Sequence, residues 1–282
     1  DEVLEVSKVY YGSLKDTARS LVKFDIGGLS SSIDNGSVTM SSAELILKEC
    51  ESNEIPLDYT IEIYPVSESW DMGLGTRFDD ITTDGVTWNY RARGSKWWVG
   101  SASLESTGSY NGNGGMWFTA SAASQSFSYE SSDLNVDVLS AIDSWVSGSL
   151  PNNGFIVKHT KTFEDDTNDY GQLKFFSKET HTIHQPKIRV GWESLSTPGK
   201  VYEYDILTKE KKLVKEIEIP SGHDPDKYVV ERIKAKSHDG RMIPISLVRL
   251  KNSKQDGKSK ILLYAYGAYK HSISPSFSAS RF

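Results

Sequence analysis

Three aspartates fall within five positions of the run FEDDTNDYG: Asp165, Asp166 and Asp169. Clustered carboxylates are what Ca²⁺ uses, but it wants roughly six to eight oxygen ligands, including backbone carbonyls. The run lacks the DxDxDG signature, and the simpler expectation is an acidic hairpin tip between FIVKHTKTF and GQLKFF. Asp79, Asp80 and Asp84 form a weaker version of the same pattern. His181 and His184 stand three apart in HTIH; on a strand those positions face opposite sides, so shared ligation of one metal is not expected. The chain is therefore expected to need no cofactor, with calcium at Asp165, Asp166 and Asp169 the weak possibility. Tyr90, Trp97, Trp98 and Trp117 could together stack against sugar rings, although aromatic clusters also serve as core or as packing between subunits. No Gly-x-Ser-x-Gly elbow occurs in the 282 residues. The lone Cys50 excludes an internal disulfide and fits assembly in a reducing compartment. Its setting, AELILKECES, suits a small packing residue at a strand end better than a reactive thiol.

The elements that would carry these residues are mostly strands. Alternating runs recur at residues 21–26 (LVKFDI), 42–48 (SAELILK), 59–66 (YTIEIYPV), 155–159 (FIVKH), 173–176 (LKFF) and 186–192 (PKIRVGW). Turn clusters such as IDNG, DMGLG and PNNG separate them. Residues 133–147 (DLNVDVLSAIDSWVS) predict the one helix, with Leu134, Val138, Ile142, Trp145 and Val146 near one face. Asp133 would cap its start and Gly148 would terminate it. Residues 100–132 are rich in Ser, Gly and Asn and predict long loops around a single strand at 116–120. These features predict a mainly β protein: a β-sandwich with one short helix, followed by a small β-rich C-terminal extension.

The extension is announced by charge. Residues 196–282 hold 17 Lys and Arg against 10 Asp and Glu, a net of +7, leaving −13 for residues 1–195. All seven Trp lie at or before Trp192. A step of this size near 192–198 predicts two units of different origin, 1–195 and 196–282. Within the second, 201–205 with 213–219 and 228–237 with 243–250 predict two hairpins, and the apolar run 261–266 predicts a further buried strand. His223, His238 and His271 read as turn or surface residues. The overall net charge of −6 argues against a nucleic-acid partner, and no run of about 18 apolar residues predicts a membrane span. The opening DEVLEVSK has neither an initiator Met nor a signal pattern, so the chain is expected to begin inside a longer or processed polypeptide.

Two resemblances refine these expectations. Between about residues 11 and 192, the phrases RSLVKFDI, SSAELILK, YPVSESWDMG, GVTWNYR, WVSGSLPNNGFIVK and GQLKFFSKETHTIHQPKIRVGW resemble tail-associated structural proteins of marine contractile-tailed phages. They are also similar to jelly-roll modules of the DNRLRE type, found in adhesins and polysaccharide-binding proteins. This resemblance implies a jelly-roll-like β-sandwich that serves as a non-enzymatic structural or adhesion component of a virion, assembled in the host cytoplasm, with other virion or surface-assembly subunits as partners and homo-oligomerisation as a consequence. The alternative it leaves open is a carbohydrate-binding module at an extracellular surface, with a polysaccharide as partner.

The second resemblance covers residues 196–282. TPGKVYEYDILTKEKKLVKEIEIPSGHDPDKYVVERIKAKSHDGRMIPISLV and DGKSKILLYAYGAYKHSISPSFSASRF resemble an internal part of oligopeptidase B, of the prolyl oligopeptidase family of serine peptidases. It implies the end of a β-propeller, the crossing into the hydrolase domain and that domain's first strands. It also implies that Tyr266, in YAYG, matches the tyrosine that helps form the oxyanion hole, and that the family's Ser, Asp and His would lie downstream of Phe282. On this reading the 282 residues would be a truncated oligopeptidase fragment, inactive as it stands. A completed hydrolase would be expected to cleave after Lys or Arg.

Overall fold

The computed structural model describes residues 3–27, 39–52, 57–74, 84–97, 114–128, 133–205, 211–266 and 275–282. Its strands are β1 (Val3–Tyr11), β2 (Leu14–Ala18), β3 (Ser20–Val22), β4 (Thr39–Leu47), β5 (Glu49–Ser52), β6 (Tyr59–Pro65), β7 (Tyr90–Ala92), β8 (Ser95–Lys96), β9 (Ala123–Phe127) and β10 (Leu134–Asp137). Helix α1 (Leu139–Val146), β11 (Phe155–His159), the single-turn α2 (Lys161–Asp165), β12 (Gly171–Phe176) and β13 (Lys187–Glu193) follow. The chain then forms β14 (Lys200–Asp205), β15 (Lys211–Glu216), β16 (Tyr228–Lys236) and β17 (Met242–Leu250). The protein is mainly β, with antiparallel pairings and a sandwich-like character, as its alternating runs predict.

Two compact units are present: Asp1–Asp25 with Ala43–Arg189 and Tyr204–Lys211, and Ile26–Ser42 with Val190–Glu203 and Lys212–Phe282. In the first, one sheet has the order β2-β1-β12-β5 and another β3-β11-β6-β9. Strict alternation explains β6: Ile61, Ile63 and Pro65 are buried while Thr60, Glu62 and Tyr64 are only partly so. β11 is buried at all five positions, so its two polar residues, Lys158 and His159, are carried into the interior. Gly154, just before it, has φ +82, and a Cβ there would meet the Val22 carbonyl oxygen, so only glycine allows this approach to β3. The core combines Val6, Leu45, Leu47, Ile61, Ile63, Leu134, Ile142, Phe155 and Phe175.

In the second unit Trp192 on β13 stacks on Tyr202 of β14 at 4.4 Å, and Lys200 pairs with Glu216 at 2.9 Å across β14 and β15. β16 and β17 form a nine-pair antiparallel hairpin, as predicted for that stretch. Ile233 and Ile243 on one of its faces, and Met242 and Leu250 on the other, are 46–54% exposed.

Several expectations need correction. The predicted helix 133–147 begins as β10: Leu134 and Val136 are buried with Asn135 and Asp137 exposed, and the strand pairs with β4. Period two and a helical stripe both fit Leu134 and Val138, and strand pairing decides it. The helix starts only at Leu139, with Asp137 Oδ1 accepting the Leu139 N–H at 2.8 Å; Gly148, at φ +72, does follow its end. Residues 261–266 are not a strand, and Ile261, Leu262, Leu263 and Tyr264 are 74–88% exposed rather than buried. The predicted strand at 116–120 reduces to one bridge, Val66 with Trp117. The run 21–26 is a strand only through Val22. His181 and His184 lie in a turn-rich connection, not on a strand, and His184 stacks on Phe176 at 5.4 Å.

Candidate binding site

Helix α2 organises the polar centre of the first unit. Thr160 Oγ1 caps it by accepting the Phe163 N–H at 3.3 Å, which turns Glu164 inward. Arg19, between β2 and β3, grips that carboxylate with two hydrogen bonds, Nε to Oε1 at 2.9 Å and Nη2 to Oε2 at 2.6 Å. Both side chains are at most 5% exposed. A bidentate fork suits a planar guanidinium, and in a buried setting it fixes both side chains. Lys158 approaches from β11, its Nζ 3.3 Å from Glu62 Oε2 and 3.9 Å from Glu164 Oε2. Burial pushes the Lys158 ammonium below its ordinary pKa, while Glu164 and Glu62 oppose that shift.

These cations sit against tryptophans. The Arg19 guanidinium carbon lies 4.5 Å from the Trp88 ring and 5.4 Å from the Trp117 ring, and Lys158 Nζ lies 5.5 Å from Trp117. Arg19 Nη1 donates to the Gly114 carbonyl at 2.8 Å. Gly114 itself has φ +80, and a Cβ there would stand 2.5 Å from Arg19 Nη1 and 2.9 Å from the Trp88 ring, so the contact needs glycine. An open cleft of about 410 Å³ lies over this assembly, lined by Lys15, Asp16, Thr17, Arg19, Trp88, Glu164 and Asp165.

A second polar group surrounds Lys8, whose side chain is fully buried. Its ammonium donates to the carbonyls of Phe163 at 2.6 Å and Asp166 at 2.7 Å and to the Asp166 carboxylate. The Tyr170 hydroxyl donates to the same carboxylate at 2.5 Å. Burial would raise the Asp166 pKa, but the hydrogen bonds from Lys8, Tyr170 and the Asn168 amide outweigh it and hold the group at about 2. His159, 1% exposed, packs 5.4 Å from the ring of Tyr59 and 5.8 Å from that of Tyr170, and neither ring nitrogen has a hydrogen-bond partner. Burial first, then the charges of Lys158 and Lys8, depress its pKa to about 4.

Asp165, Asp166 and Asp169, the weak calcium candidate, are dispersed among other partners. Asp165 pairs with Lys161 at 3.0 Å, Asp166 is engaged by Lys8 and Tyr170, and Asp169 accepts the backbone N–H of Gly171 at 2.8 Å and of Tyr10 at 3.3 Å. Among the described residues no group of three or more acidic, His or Cys side chains could hold a metal. Nor do they form a hairpin tip, since Asp165 ends α2. Asp79 and Asp80 lie outside the described residues, as does Trp98. Trp97 is 2% and Trp117 6% exposed, in a cluster with Val66, Met116 and Ile156. The Trp97 indole N–H donates to the Thr87 carbonyl at 3.0 Å. These two rings are core, as aromatic clusters in sandwiches more often are, and offer no face to a sugar. Tyr90 is half-buried, with Lys96 Nζ 5.8 Å from its ring.

Trp88, which is 38% exposed, carries the accessible aromatic surface of this cleft and was not singled out by sequence. The only hint was its place in the turn-flanked phrase GVTWNYR. Cys50 Sγ lies 3.4 Å from the Lys174 carbonyl, and burial raises its thiol pKa, as an unreactive packing residue requires. In the second unit His223 Nε2 meets the Ser196 carbonyl oxygen at 2.7 Å and its ring stacks on Tyr228 at 5.5 Å, so it is tied into a turn. His238 contacts Ser237 Oγ at 3.4 Å, His271 lies outside the described residues, and Tyr266 is 52% exposed.

No family model matches the chain. Similar curated proteins are peptidases over about a third of it. Dipeptidyl aminopeptidase BI from Pseudoxanthomonas mexicana is 41% identical over 92 residues, which is 32% of this chain and 13% of that protein. Prolyl endopeptidase from Elizabethkingia meningoseptica is 32% identical over 82 residues, 29% of this chain and 11% of that protein. The chain thus spans little more than a tenth of the length of these relatives. Among solved structures, oligopeptidase B from Leishmania major is 33% identical over 33% of this chain and 13% of its own, with a TM-score of 0.30. Oligopeptidase B from Trypanosoma brucei is 29% identical over 38% of this chain and 17% of its own, also with a TM-score of 0.30.

Proposed function

We propose that residues 196–282 correspond to an internal part of a serine oligopeptidase, from the end of its β-propeller into the first strands of its hydrolase domain, and that these 282 residues do not hydrolyse peptides unaided. The observation that carries the reading is the 41% identity over 92 residues to a dipeptidyl aminopeptidase. Two further features support it. The sequence holds no Gly-x-Ser-x-Gly elbow, so an oxyanion donor such as Tyr266 has no nucleophile of that type to serve. The apolar run Ile261 to Tyr264 and apolar residues on both faces of the β16–β17 hairpin are exposed, which suits surfaces that further parts of a hydrolase domain would cover. Covering one such Ile or Leu would contribute about 2 kcal/mol.

The test is covalent labelling with a fluorophosphonate together with hydrolysis of a dibasic peptide. Neither is expected from this chain, and a labelled serine within it would overturn the proposal. The virion reading of residues 1–195 rests on its quoted phrases alone, and none of the relatives named above bears on it.

A further inference from the structure

Strand β15 ends the sheet that runs through β13 and β14, and among the described residues no strand lies beyond it. All of its residues are exposed, and Val214 at its centre is 49% so. An open edge of this kind presents a row of backbone N–H and C=O groups, a template for one more strand.

Which groups face outward follows from β14. The Ile217 N–H donates to the Gly199 carbonyl at 3.0 Å and Lys200 meets Glu216 at 2.9 Å, so Ile217 stands opposite Gly199 and Glu216 opposite Lys200. Backbone groups alternate in direction along an antiparallel strand. Leu213 and Lys215 therefore turn theirs towards β14, while Lys212, Val214 and Glu216 turn theirs outward. The side chains of those three outward residues also share one face of the sheet.

This spacing is self-complementary. Set antiparallel to a second β15 with Val214 opposite Val214, the strand places Lys212 opposite Glu216 on both sides, and each outward N–H meets an outward carbonyl. Lysine on an edge ordinarily discourages pairing; in this register each Lys212 meets a carboxylate instead. Trp192 stacks on Tyr202 at 4.4 Å, and the pairing of β14 with β15 sets Tyr202 beside Val214, so an apolar row runs out to the edge where the second Val214 would extend it. The next register that matches hydrogen-bonding groups would set Lys215 against Lys215, a like-charge pair that costs stability.

We propose that β15 pairs with β15 of a second copy of this chain about a two-fold axis, with Val214 at the axis and Lys212–Glu216 pairs on either side. One strand edge buries less than the roughly 1,200 Å² of stable interfaces, so the dimer is reversible, dissociating in about the micromolar to hundred-micromolar range. The proposal concerns β15 alone and does not depend on the peptidase reading.

Sedimentation velocity of the 282-residue chain from about 1 to 500 µM tests it, a range that brackets weak association. Lys212→Glu and Glu216→Lys should each weaken dimerisation by about tenfold or more, because two attractive pairs become repulsive. An equimolar mixture of these two variants should dimerise about as well as the unaltered chain, since every Glu then faces a Lys. Val214→Pro removes an outward N–H that β14 does not use, and should leave a monomer with a cooperative melting transition. Should that variant fail to fold, the charge variants decide alone. The proposal is overturned by a chain that stays monomeric across the range, by dimers that persist in folded Val214→Pro or in both charge variants, or by a mixture of the charge variants that associates no better than each alone.

Discussion

His159 should make the first unit sensitive to mild acid. The ring is 1% exposed, both nitrogens lack partners, and Lys158 and Lys8 stand close enough to disfavour its protonation. Its pKa is held at about 4, against 6.5 for an unperturbed imidazole. As pH falls below 6.5 the unfolded chain takes up a proton that the folded chain refuses until about pH 4. Stability is therefore complete above 6.5 and drains away between 6.5 and 4. At pH 4 the loss amounts to about 3 kcal/mol, from roughly 1.4 kcal/mol for each pH unit of the window. His159→Phe removes the titration without breaking a hydrogen bond, and it also removes two unsatisfied buried atoms. That second effect should offset the packing strain of a slightly larger ring at pH 7.5. Urea unfolding followed by tryptophan fluorescence at pH 7.5, 6, 5 and 4 would give the two stability profiles. The wild-type curve should fall away from the variant by about 3 kcal/mol over that range. Parallel curves would refute the reasoning, because they would mean that His159 protonates in the folded chain as readily as in the unfolded one.

Other consequences can be measured on the same unfolding curves. Glu164→Ala strands the Arg19 guanidinium in a site where its side chain is 4% exposed, and should cost about 3–5 kcal/mol. Asp166→Asn should abolish a separate acid transition. The Asp166 pKa of about 2 lies below the ordinary 3.8, so its contribution is present above 3.8 and lost as pH falls towards 2; the variant should be less stable at neutral pH and show no further slope in that window. Trp97→Ala should destabilise by about 3–5 kcal/mol through the cavity it leaves beside Val66, Met116 and Ile156.

The alternating runs at residues 59–66 and 155–159 were legible as strands because burial on one or both faces leaves its mark on neighbouring residues. The start of α1 was not. Leu134 and Val138 fit both a spacing of two and a helical stripe, and only pairing with β4, some ninety residues earlier, selects the strand. The same distance hides the polar centre. Nothing near Lys8 in VLEVSKVYY marks it as fully buried, since its partners, Phe163 and Asp166, are supplied by a turn more than 150 residues away. Composition likewise counts tryptophans without sorting them. Trp97 disappears into the core while Trp88, nine positions earlier, stays at the surface against Arg19.

That pattern explains why the three aspartates form neither a ligand set nor the hairpin tip expected of them. A carboxylate cluster in sequence suggests a ligand set only if the chain leaves the carboxylates convergent. Here α2 and the turn after it send Asp165, Asp166 and Asp169 to three different partners, and Glu164, with no motif around it, becomes the residue on which the site is built. Burial gives Glu164 its importance, because a carboxylate that must be neutralised in the interior fixes whichever cations reach it. Arg19, between β2 and β3, and Lys158, on β11, both do so, and the Trp88 ring packs on Arg19. Any ligand of this cleft therefore depends on an ion pair that it need not touch.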